Sequence, residues 1–174
     1  MSSAESVPRR NAAIRRGLGG SVGLAALVYF LAAYAQGAQL EPPGAVGGLQ
    51  LVHALRGKEA LQAIDRLHGN QLGGADGYVA HYERNGFAAM LYVSRASLSS
   101  MAGLQIERMA ARIRKGDTPF YHLKSQEWNG STVFSALGQG QIHYFYRQDA
   151  DVTWIASDPA VAKEVVDQLL RRDR

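Results

Sequence analysis

The amino-acid sequence predicts an α+β domain, an antiparallel sheet made of a hairpin plus a four-strand meander, with helices packed on one face. One N-terminal membrane-spanning or signal helix precedes it. Three observations carry this expectation. An uncharged apolar segment follows four arginines near the N-terminus. Asn85-Gly86 stands between two runs rich in aromatic and β-favouring residues, a strong short-range hairpin signal. Beyond it the apolar period switches from two to 3.6 and back again, which separates strands from helices.

The first element is the apolar segment. No charge occurs between Gly17 and Leu40, while Arg9, Arg10, Arg15 and Arg16 lie upstream and the next Lys or Arg downstream is Arg56. This asymmetry orients the segment with its basic flank in the cytoplasm. As a helix the whole stretch spans roughly 36 Å, enough for the hydrocarbon core of a bilayer. It is read as a retained signal-anchor, giving a single-pass protein of a bacterial-type inner membrane, N-in with its C-terminal domain periplasmic or extracellular. The alternative is a signal peptide, because the densest apolar stretch, Val22 to Ala35, ends in a small-x-small site that permits cleavage at Ala35–Gln36 and release to the periplasm. Gly19 and Gly23 form a Gly-x-x-x-Gly pair, but glycines are common in such segments. Arg15-Arg16-Gly17-Leu18 lacks the flanking pattern of a twin-arginine signal.

Residues 1–16 are accordingly a basic cytoplasmic tail and residues 17–40 the anchor or signal peptide. Residues 41–49 hold two prolines and three glycines, cannot continue a helix, and read as a linker. Residues 50–174 form the extracytoplasmic domain. In it, Leu61, Ile64 and Leu67 fall on one face of a short helix over 58–68, with Gly69 placed to end it. The strands Tyr78–Arg84 and Phe87–Ser94 flank Asn85-Gly86. A long helix over 97–115 carries the stripe Leu98, Ala102, Ile106, Met109 and Ile113 and closes at Gly116.

Four strand-like runs follow, Phe120–Glu127, Thr132–Leu137, Gln141–Arg147 and Val152–Ser157, separated by turns short enough to make them antiparallel neighbours. Asp158-Pro159 opens a last helix whose Val161, Val165, Val166, Leu169 and Leu170 face inward. The order α-β-β-α-β-β-β-β-α after the linker implies one sheet with helical cover.

Composition narrows the function. With 47% apolar and 20% charged residues in 174, the chain can build a core. Its pI near 9.5 comes mostly from the N-terminal tail. Of 19 Lys and Arg four precede residue 17, and of 15 Asp and Glu one does, leaving 15 against 14 and no case for nucleic acid. The absence of cysteine excludes a disulfide framework, cysteine-attached haem, thiolate iron–sulfur clusters and a lipobox.

Candidate sites are few. Five histidines, His53, His68, His81, His122 and His143, lack the close spacing of a zinc motif, although His81, His122 and His143 all fall on expected strands and would form a metal site if they met on one face. There is no Gly-x-Ser-x-Gly elbow. Ser94 and Ser97 sit where a strand hands over to a helix, which capping explains. The glycines from Gly69 to Gly77 and around Gln139 do not open a helix after a strand, so they cradle no phosphate.

Arg108, Arg112 and Lys115 make a basic stripe opposite the apolar face of the long helix, suited to an acidic partner or anionic lipid headgroups. Tyr144 and Tyr146, on one face of their strand, are either core or part of an exposed aromatic contact surface. No cofactor is expected. The functional expectation is a non-catalytic accessory or interaction domain, tethered by residues 17–40 and contacting another membrane or exported protein. The alternative is a released periplasmic domain binding a small apolar or metal ligand.

Overall fold

A computed structural model describes residues 39–68 and 73–172. The elements are β1 (Ala45–Val46), β2 (Leu49–Arg56), α1 (Gly57–His68), β3 (Asp76–Arg84), β4 (Phe87–Arg95), α2 (Ser99–Lys115), β5 (Tyr121–Trp128), β6 (Ser131–Gly138), β7 (Gln141–Gln148), β8 (Asp151–Ser157) and α3 (Ala162–Arg172). The eight strands form one sheet in the order β1-β2-β3-β4-β8-β7-β6-β5, every pair antiparallel. The expected hairpin and meander are both present. Asn85-Gly86, Asn129-Gly130 and Gln139-Gly140 all adopt positive φ, the two-residue turn geometry that matches the twist of the flanking strands.

The connection through α2 decides the topology. Its 17 residues span ~25 Å, somewhat more than the ~19 Å across the four strand spacings that separate β4 from β5. The helix therefore carries the chain from mid-sheet to the far edge, and the meander returns until β8 pairs with β4. Gly116 ends the helix in the left-handed conformation at φ 78°, and its N–H and that of Asp117 cover the last carbonyls. The serines at its start do not cap it. Leu98 occupies the N-cap position with no side-chain hydrogen bond, and Ser94 is buried in β4.

Helices cover both faces of the sheet, not one as the sequence reading had it. On one face α3 packs Val165, Val166, Leu169 and Leu170 against Tyr82, Leu91, Tyr144, Tyr146 and Ile155. On the other, α2 packs Ala102, Ile106, Ala110 and Ile113 over Phe134, Phe145 and Val152, while α1 sets Ala60 and Ile64 against Val79. The reason lies in strands that are apolar on both faces. In β7, Phe145 points one way and Tyr144 and Tyr146 the other, and all three are buried.

The segment 41–49 is not a linker. The compact unit begins at Gln39, and Val46 and Leu49 are fully buried. Gly47 and Gly48, both at positive φ, turn β1 back along β2. The Tyr82 hydroxyl donates to the Pro43 carbonyl at 2.9 Å, and the Gly47 N–H donates to Gln168 Oε1 at 2.7 Å. Prolines and glycines that forbid a helix are compatible with an extended approach and a tight turn. At the other end of the chain Asp158 also departs from expectation. Its backbone carbonyl accepts from Val161 and Ala162, but its carboxylate accepts from the Ala88 N–H, tying the approach to α3 onto β4.

Candidate functional site: a groove between α1 and α2

α1 and α2 share a face of the sheet without closing over it. Between them runs a groove of two lobes, about 380 Å³ and about 190 Å³, which share the lining residues Ile64, His68, Tyr92, Met109, Arg112 and Trp154. Its floor is formed by β4 and β8, whose register sets Ser94 beside Val152, Tyr92 beside Trp154, and Met90 beside Ala156. Four residues of strand make this floor ~13 Å long. At the far end the Pro119-Phe120 segment and Gln139 close the larger lobe.

The aromatic floor is the rim of a row that crosses the sheet. Trp154 stacks on Phe145 at 5.0 Å, and Phe145 stacks on Phe134 at 5.1 Å. Phe134 and Phe145 are buried beneath α2, whereas Trp154 and Tyr92 are left half-buried in the groove. Burial pushes the Tyr92 phenol above its ordinary pKa, so its hydroxyl stays protonated at neutral pH.

His143 borders the larger lobe and is buried. The Trp154 indole can only donate, and it donates to His143 Nδ1 at 3.2 Å. The ring proton is therefore on Nε2, which donates to the Gly138 carbonyl at 3.0 Å. Phe120 packs edge-on against the ring at 4.6 Å, at a place where a Cβ on Gly138 would meet Phe120 at 2.6 Å. Desolvation lowers the His143 pKa, and the imidazole is neutral with both nitrogens engaged.

The three candidate histidines do not come together. His81 and His143 share a face and a lateral row, but Met90 and Ala156 stand between them, which sets the two strands ~14 Å apart. His81 Nε2 lies 3.0 Å from Glu83. His122 is exposed at a positive-φ bulge of β5. Among the described residues no group of three or more His, Asp or Glu is placed to hold a metal ion.

Tyr144 and Tyr146 are core beneath α3 and not an exposed contact surface. Arg108, Arg112 and Lys115 are all exposed, away from the buried stripe of α2, and Arg108 and Arg112 also border the groove. Leu67, expected on the inner face of α1, is 68% exposed at the groove edge. Arg9, Arg10, Arg15 and Arg16 lie outside the described residues, as do residues 17–38 and Gly69. No helix among the described residues is long and apolar enough to cross a membrane.

A further cavity of about 480 Å³ lies on the α3 face, between Leu40, Tyr146 and Leu169. Its cation is already paired. Arg95 grips Asp151 with two hydrogen bonds, at 2.7 and 2.9 Å, joining β4 to β8. Among the described residues, the smaller lobe of the groove on the other face is lined by arginines and by no carboxylate.

The fold and the groove together define an α+β domain with an open, largely apolar cleft on one face of its sheet. Comparison with protein-family models, with curated proteins and with solved structures finds no match for the chain.

Proposed function

We propose that this chain is a non-catalytic binding domain, held at the outer face of a bacterial-type inner membrane by residues 17–40, and that its α1–α2 groove takes a small apolar ligand. The observation that carries this reading is the half-exposed pair Tyr92 and Trp154 on the groove floor. Large aromatic rings left open between two helices, in a cleft within the size range of ligand pockets, form an apolar surface that gains by being covered.

A fluorescent apolar probe such as N-phenyl-1-naphthylamine tests it. The full chain is expected to enhance probe emission and to transfer energy from Trp154. Leu67→Glu, at the exposed edge, and Met109→Glu, in the wall, are each expected to weaken binding at least tenfold with an unchanged circular dichroism spectrum. Probe binding that neither variant alters would overturn the assignment of the groove.

A second reading, contact with another membrane or exported protein, is favoured by a separate feature. Leu98, Met101 and Leu104, at and near the start of α2, are 61%, 40% and 52% exposed and form an apolar stripe. Crosslinking in intact membranes from Met101→Cys, the chain's sole cysteine, is expected to recover a partner. A chain recovered only as uncrosslinked monomer would remove this reading.

A further inference from the structure

We infer that the ligand of the groove is a single-chain amphiphile with an anionic headgroup, such as a medium-chain fatty acid, held by Arg108 and Arg112. This rests on the groove being a ligand site, and adds the chemistry of the ligand and its direction.

Arg108 and Arg112 stand one helical turn apart on α2 and both line the smaller lobe. Like charges at this spacing repel. Among the described residues neither has a carboxylate partner, since the ion pairs there involve Arg56, His81, Arg95 and Lys163. The remaining charged or titratable groups lining the groove are His68, Tyr92 and His143, together with a single carboxylate, Asp117. Asp117 lines only the larger lobe, so among the described residues the smaller lobe is lined by cations and by no carboxylate.

A guanidinium pair above a floor of Tyr92, Val152 and Trp154 is electrostatically complementary to a carboxylate or phosphate, which two arginines bind by paired N–H···O bonds. Both arginines are exposed at the groove margin, so salt screens that attraction, and it is strengthened only where the headgroup sits against the apolar floor. With the headgroup there, the apolar tail has one direction to run, past Met109 into the larger lobe toward Phe120. The ~13 Å floor suits an extended chain of medium length.

The full chain in zwitterionic nanodiscs, photolabelled with decanoic acid carrying a diazirine on its chain and with the matching decanol, tests this. Mass spectrometry locates the label. The acid is expected to mark groove residues at least fivefold more than the alcohol, and the double variant Arg108→Gln, Arg112→Gln to lose that excess while still accepting the alcohol.

Equal labelling of the groove by acid and alcohol would overturn the anionic assignment and leave the apolar groove standing. No groove labelling by either would remove both readings. Loss of both labels in the double variant would show that the arginines shape the groove and do not bind a headgroup. If replacing part of the lipid with phosphatidylglycerol abolished acid labelling, the arginines would be bilayer contacts and the amphiphile proposal would fall.

Discussion

His143 is the one buried imidazole among the described residues, and its surroundings fix its charge. Trp154 donates to Nδ1, so a second proton would set two donors against each other at 3.2 Å. The folded-state pKa is therefore below the unfolded value of 6.5, the main cause being desolvation. A base with a depressed pKa is protonated more readily in the unfolded chain, so its contribution to stability is full above about pH 6.5 and is lost as the pH falls below it. Asp167 is lowered below 3.8, chiefly by its hydrogen bond from Lys163, and acts only in more acid solution. The urea midpoint is expected to decline between pH 7 and 5, and His143→Gln to flatten that decline. A midpoint equally pH-dependent in the variant would place the titration elsewhere. None of this is visible in the residues near His143, because Trp154 and Gly138 reach it through strand register and a turn.

At the scale of elements, the β1–β2 hairpin and α3 depend on each other. A Cβ on Gly47, at φ 52°, would lie 2.7 Å from both the Val165 backbone nitrogen and its Cγ2. Gly47→Ala thus meets backbone strain and a steric clash together, and is expected to cost on the order of 1–3 kcal/mol in chemical denaturation. Gly44→Ala is the control, since nothing lies within 4 Å of its Cβ position, and it is expected to be near neutral. Equal behaviour of the two would mean that residues 41–49 are as loosely held as a linker. The Gly-Gly pair between Val46 and Leu49 is a hairpin signal. The strand after it carries a weaker one. β2 has a bulge between Leu51 and His53 and an exposed edge, so its burial follows no clean alternation.

For the whole molecule, the arrangement of charge about the apolar segment sets the proposed topology. A reporter active only outside the cytoplasm, fused after Arg174, is expected to be active. Replacing Arg9, Arg10, Arg15 and Arg16 by Glu is expected to lower that activity severalfold, because in the proposed topology the basic flank holds the N-terminus inside. An intact mass for the mature protein that begins at Gln36 would replace the anchored form by the released one.

The sequence by itself determined the class of fold, the hairpin, the meander and the buried face of the last helix. Each of these is written in neighbouring residues, as a turn pair, a period of two or a period of 3.6. Only the tertiary structure decided how they combine. Helices on both faces follow from α2 crossing to the far edge, so that β4 pairs with β8 and the two apolar faces of the strands need separate cover. The groove follows from the same crossing, because α1 and α2 lie on one face with Tyr92 and Trp154 between them. Tyr92 and Trp154 are 62 positions apart in the chain and adjacent in the sheet, and no local pattern encodes such a distance.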